Sequence, residues 1–189
     1  MRFFTTARIL TGIFSFAFFI LLLRVTSIDV YKSYIVFFSL ASVVSISTSF
    51  GSDRVFYNFF PSFLKEGILE KIIQWSFSYF MLRITAGFAM SVFVSILIFN
   101  HIGFTFFETL FFICICLVGF VFSEMTYSIL VSVGKHTLAA LCSLLSVTSK
   151  IVISLLYDFN DKLFDLFYLL FFVLLVDLFF SFFIILLCL

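Results

Sequence analysis

Residues 104–133, FTFFETLFFICICLVGFVFSEMTYSILVSV, are thirty positions that carry two carboxylates, Glu108 and Glu124, and no Lys, Arg, His or Pro. About 20 mainly apolar residues, rising 1.5 Å each as a helix, cross the roughly 30 Å hydrocarbon core of a bilayer. This stretch is therefore read as a membrane-spanning helix. Stretches of the same kind occupy residues 9–23, 33–50, 72–99, 137–157 and 163–189. Together they predict an all-α, polytopic membrane protein, one bundle of about six transmembrane helices filling residues 1–189. Little chain is left over for an extramembrane domain.

Composition agrees. The chain is 64% hydrophobic and 11% charged, with a mean hydropathy of +1.31, against about 45–50% apolar and 25% charged residues in soluble domains. The 34 Phe residues fill apolar positions at large and mark no motif. A net charge of +1 without a basic run argues against nucleic acid as a partner and against a polybasic lipid-binding tail. Cys114, Cys116, Cys142 and Cys188 all fall in apolar stretches, where a thiol behaves as a small hydrophobe, so neither disulfide nor metal is expected.

Arg2 and Arg8 precede the first apolar run, as in a secretory signal, but Arg24-Val25-Thr26-Ser27-Ile28-Asp29 stands where a small-residue cleavage site would be, so a retained helix is the better reading. Positive charges set the orientation. With the N-terminus in the cytoplasm, the inner side receives Arg2, Arg8, Arg54, Lys65, Lys71 and Lys135, and the outer side Arg24, Lys32 and Lys162. The excess inside favours that topology. The chain ends in IILLCL (184–189) without a polar anchor, which suggests the front part of a longer parent or the product of an interrupted gene.

Four charged residues fall well inside the spans: Arg83 in the third, Glu124 in the fourth, Lys150 in the fifth and Asp177 in the sixth. Each costs about 2.5–3.5 kcal/mol at a helix centre on insertion scales, so such residues face protein or water. Polar residues also recur at three- and four-residue steps, which places them on one helix face. Ser39, Ser42, Ser45, Ser49 and Ser52 mark the second span, and Arg83, Gly87, Ser91 and Ser95 the third. The fourth carries Glu124, Ser128 and Ser132, and the fifth His136, Ala140, Ser143, Ser146, Lys150 and Ser154. A polar cleft lined by Ser39, Ser42, Ser45, Ser49, Ser91, Ser143 and Ser146 accounts for these stripes. Close helix packing, with hydroxyls bonded back to their own helices, is the competing account.

In such a cleft Arg83 and Lys150 are candidates for an anionic head group, since guanidinium and ammonium bind phosphate oxygens. Glu124 and Asp177 are candidates for charge pairing or for coupling to protons or sodium. Two buried ion pairs form the alternative, with partners the sequence leaves open. Trp75, Tyr79 and Tyr127 suit interfacial anchoring, and His101 and His136 lack a second ligand at metal spacing. No nucleophile elbow, phosphate-cradling glycine loop or zinc-protease motif occurs, so the chain is not expected to be an enzyme or to need a cofactor.

The order of parts resembles the N-terminal half of polysaccharide or O-antigen repeat-unit flippases of the Wzx kind, in the superfamily that also contains the MATE exporters. Arg8 and Gly12 open the first span, and the serine-rich second span leads into Phe50-Gly51-Ser52-Asp53-Arg54. Phe60-Pro61 and Lys65-Glu66-Gly67 then precede the third span. Tyr31-Lys32 stands where members often carry an aromatic-Gly pair, and one bundle is present where a full member has two. The resemblance implies a bacterial inner-membrane transporter that moves an undecaprenyl-diphosphate-linked oligosaccharide to the periplasmic leaflet for O-antigen or capsule synthesis, with other polysaccharide assembly proteins as possible partners. A cation-coupled exporter of the same fold, and a membrane enzyme or subunit of polysaccharide assembly, are the alternatives. The sugar, the coupling ion and the oligomeric state are not legible in the sequence.

Overall fold

The structure, a computed structural model, describes residues 2–49, 51, 58, 61–62, 69–132, 134–156 and 162–188. Six long helices run through them: α1 (Arg2–Val25), α2 (Ile28–Ser47), α3 (Leu69–Ile102), α4 (Phe106–Ser132), α5 (His136–Leu156) and α6 (Lys162–Cys188). The protein is an all-α, multi-span membrane protein. The stretches Ile28–Ser47, Gln74–Ile102, Phe106–Ser132 and His136–Leu155 are each long and apolar enough to cross a bilayer, and Ile9–Val25 is a shorter apolar stretch. Large apolar side chains point outward along them, among them Phe16, Ile20, Phe77, Phe88, Phe93 and Phe179. Faces of that kind are at home in lipid rather than water.

Helix ends differ from the hydropathy reading where local chemistry overrides it. The second helix starts at Ile28, five residues before the apolar run, because the Ser27 hydroxyl accepts the Val30 N–H at 3.3 Å and Asp29 sits in the first turn. A hydroxyl cap and an acid at the positive end of the helix dipole both favour a start there. Lys32, expected in an outer loop, is thus an exposed helical residue, and only Thr26 and Ser27 separate α1 from α2. The fourth helix opens on a reciprocal capping box: the Thr105 N–H donates to Glu108 Oε2 at 2.9 Å, and the Glu108 N–H to Thr105 Oγ1 at 3.3 Å. It closes at Gly134, whose φ of 81° allows the Lys135 N–H to reach the Leu130 carbonyl at 2.9 Å.

The chain divides into two compact units, residues 1–36 with 136–189, and residues 37–135, with the boundary inside α2. In the first unit α5 packs against both α1 and α6. Its buried residues include Leu22, Val30, Leu166 and Leu170, and Phe18 meets Tyr34 edge-on. In the second, α3 packs on α4. Val44, Leu117 and Val121 form its core, flanked by Phe80, Ile84 and Val94. Close approach there depends on Gly87, since a Cβ at that position would lie 2.5 Å from Leu117 Cδ2. The sequence reading of Phe50, Ser52–Arg54, Phe60 and Lys65–Gly67 lies outside the described residues, as do the side chains of Arg2, Arg8, Lys71 and Lys162.

Candidate functional site

The four intramembrane charges form two ion pairs, one in each unit. In the second unit Arg83 Nη2 lies 2.7 Å from Glu124 Oε2. The same nitrogen donates to the Ser45 carbonyl at 2.9 Å and to Ser45 Oγ at 3.0 Å, and Ser45 Oγ in turn donates to Glu124 Oε2 at 3.3 Å. Ser45 belongs to the last turn of α2, where the final four carbonyls have no partner within the helix. Arg83 therefore caps the negative end of α2, a position that favours a cation. Tyr79, one turn earlier on α3, continues the cap by donating from its hydroxyl to the Ser49 carbonyl at 2.7 Å, and its ring lies 6.0 Å from the Arg83 guanidinium carbon.

Exposure within this pair is lopsided, the Arg83 side chain being 2% accessible and that of Glu124 40%. Arg83 Nε is buried without a hydrogen-bond partner among the described residues. The carboxylate reaches the molecular surface while the guanidinium is sealed between helices.

In the first unit Lys150 Nζ lies 2.7 Å from Asp177 Oδ1, and Ser146 Oγ donates to the same oxygen at 2.7 Å. Exposure is even here, 14% for Lys150 and 16% for Asp177. Lys150 also borders a small, partly open recess between α5 and α6, with room for about one water molecule, lined by Ser154 and Tyr168 together with Ile153, Leu169, Phe172 and Val173.

The serine candidates part company. Ser45 and Ser146 reach across to carboxylates. Ser42, Ser91 and Ser143 bond back to carbonyls of their own helices, those of Ser39, Gly87 and Ala139, the pattern that lets membrane helices approach closely. Ser39 is exposed, and Ser49 is half-buried. Trp75 is 56% exposed, as an interfacial anchor would be. Tyr79, also read as an anchor, belongs to the Arg83 cluster as well, and Tyr168, which the sequence did not single out, lies beside Lys150. Among the described residues no group of three or more His, Cys, Asp or Glu side chains could hold a metal ion.

Comparison of the chain with known protein families, with curated proteins and with solved structures finds no match.

Proposed function

We propose that this protein is a membrane transporter of the flippase kind, which carries an undecaprenyl-diphosphate-linked glycan from the cytoplasmic to the periplasmic leaflet of a bacterial inner membrane, its N-terminus on the cytoplasmic side. The observation that carries the reading is the retention of two hydrogen-bonded ion pairs within spans otherwise made of Phe, Leu, Ile and Val. An apolar pair of similar volume is commonly as stable as a buried ion pair, or more so, and intramembrane charges mark transport pathways by default. A diphosphate needs a cation on its way across, and Arg83 and Lys150 are cations that lie well inside the described spans. Each is paired with a carboxylate in this conformation, so a head group reaches a cation only where that carboxylate gives way.

Reconstitution tests the reading. The purified chain is placed in vesicles with a short-chain polyprenyl diphosphate bearing N-acetylglucosamine and a nitrobenzoxadiazole tag, and the fraction of tag bleached by external dithionite is followed. Bleaching beyond the outer-leaflet half is expected, and bleaching that stops at the level of protein-free vesicles removes the proposal.

The cation-coupled exporter draws on one observation of its own, the 40% exposure of the Glu124 side chain. Under that reading Asp177→Asn and Glu124→Gln abolish transport. Loss of activity on Lys150→Gln with activity retained in Asp177→Asn counts against it.

A further inference from the structure

The two intramembrane cations differ in what else each is asked to do. Arg83 gives one nitrogen to three acceptors on two other helices, two of them on the last turn of α2. Withdrawing it takes the shortest donor from the Ser45 carbonyl and from the Glu124 carboxylate together, leaving them the longer bonds from the Thr48 hydroxyl at 3.2 Å and the Ser45 hydroxyl at 3.3 Å, and empties a guanidinium pocket with almost no access to solvent. A guanidinium is a rigid planar fork, suited to fixing several acceptors at once. Lys150 is held differently. Among the described residues its ammonium is paired with Asp177 alone, and the carboxylate it would leave behind keeps the Ser146 hydroxyl as a second donor. An ammonium has three donors on a flexible stem and can turn from one anion to another without moving a helix. The recess beside it has walls of Ile153, Leu169, Phe172 and Val173, which suit hydrocarbon better than sugar.

We infer that Lys150 is the residue that exchanges its carboxylate for phosphate oxygens of a polyprenyl-diphosphate head group, with the adjoining recess receiving the start of the prenyl chain, whereas Arg83 is a positioning residue that fixes the C-terminal end of α2. This division rests on the transport reading. Binding at Lys150 breaks the Lys150–Asp177 contact and replaces it with ammonium–phosphate hydrogen bonds, and Asp177 stays hydrogen-bonded to Ser146. The recess widens between α5 and α6 to admit the chain. Tyr168, 38% exposed at its margin, is the side chain placed to yield.

The test uses the full chain in phosphatidylcholine nanodiscs and the fluorescence anisotropy of tagged farnesyl diphosphate, competed by geranylgeranyl diphosphate or by geranylgeraniol. Wild type is expected to release the probe to the diphosphate and not to the alcohol. Lys150→Gln is expected to raise the Kd about tenfold or more, as loss of a charge-assisted contact does, and Lys150→Arg to recover part of it. Asp177→Asn, which frees the ammonium, is expected to tighten binding. Arg83→Gln is expected to lower the unfolding temperature while the folded fraction keeps the wild-type Kd. Glu124→Gln, which leaves the bond from Arg83 to the Ser45 carbonyl in place, keeps that Kd as well and stands in if Arg83→Gln does not fold. Diphosphate-specific binding that survives Lys150→Gln, or that Asp177→Asn weakens, or that falls in folded Arg83→Gln or Glu124→Gln as it does in Lys150→Gln, overturns the division. A wild type that does not distinguish the diphosphate from the alcohol removes the transport reading along with it.

Discussion

The Arg83 and Lys150 clusters contain the same parts, a cation, a carboxylate and a serine hydroxyl, yet they are built to different ends. Around Arg83 the serine contributes its backbone as well as its side chain, so the ion pair is also the terminus of a helix. Around Lys150 the serine contributes only a hydroxyl, to the acid, and no helix end depends on the cation. Equal charge content within a span therefore carries unequal structural debt. What separates the two cases is whether main-chain groups are tied to the charge.

That difference can be broken by substitution, and the largest effect is expected at Arg83. Arg83→Ala empties the space of a nearly inaccessible side chain and leaves the Ser45 carbonyl and the Glu124 carboxylate only their longer hydroxyl donors; it is expected to destabilise the protein by roughly 3 kcal/mol, read as a fall in unfolding temperature or as loss of the folded form from the membrane. Glu124→Gln should cost clearly less, because an amide oxygen can still accept from Arg83 and the bond from Arg83 to the Ser45 carbonyl is spared. A cost equal to that of Arg83→Ala would mean that the ion pair, and not the cap, is what matters.

At Lys150 the expected sign changes with the number of partners removed. Lys150→Met alone strands Asp177 and is destabilising, whereas Lys150→Met with Asp177→Leu is expected to restore or exceed wild-type stability, by about 1 kcal/mol or more, while abolishing diphosphate binding. Thermal unfolding of the single and double variants in one detergent decides it. The matching double replacement Arg83→Met with Glu124→Leu is expected not to recover, since the Ser45 carbonyl keeps only the longer bond from the Thr48 hydroxyl. Recovery there would erase the distinction between the clusters.

A smaller effect sharpens the account of the second unit. Gly87→Val forces side-chain atoms onto Leu117, which is itself buried, and is expected to cost about 2 kcal/mol. Gly87→Ala is expected to cost less, because the nearest atom is the end of a leucine side chain that can rotate. Unfolding temperatures of the two variants relative to wild type give the order.

Hydropathy made the helices legible, and their approximate places follow from it. The ends were less so. Lys32 looked like a loop residue because charge ends an apolar run, yet Ser27 and Asp29 begin the helix upstream of it, and a cap outweighs hydropathy in setting where the first turn forms. Hydropathy starts the fourth span at Phe104 without using the pattern Thr105-Phe106-Phe107-Glu108, although its spacing is that of a capping box. The identity of the charged residues was legible because each is costly where it stands. Their partners were not, since Ser45, Arg83 and Glu124 lie 38 and 41 positions apart and no local period links them. Tyr79 was read as an anchor because an aromatic hydroxyl near a span end suits an interface. Only the Ser49 carbonyl opposite it reveals its second role.

The dependence of α2 on Arg83 also orders events during synthesis. When residue 47 leaves the ribosome, the cation that completes the last turn of α2 is still 38 residues behind Ser45 and has not emerged. Until α3 arrives, the carbonyl end of α2 has only the local donors of Thr48 with water or the translocon, so α2 reaches its final state in company with α3 rather than alone. A nascent chain arrested between the two helices therefore presents α2 as an unfinished segment, held at the translocon exit instead of released into lipid.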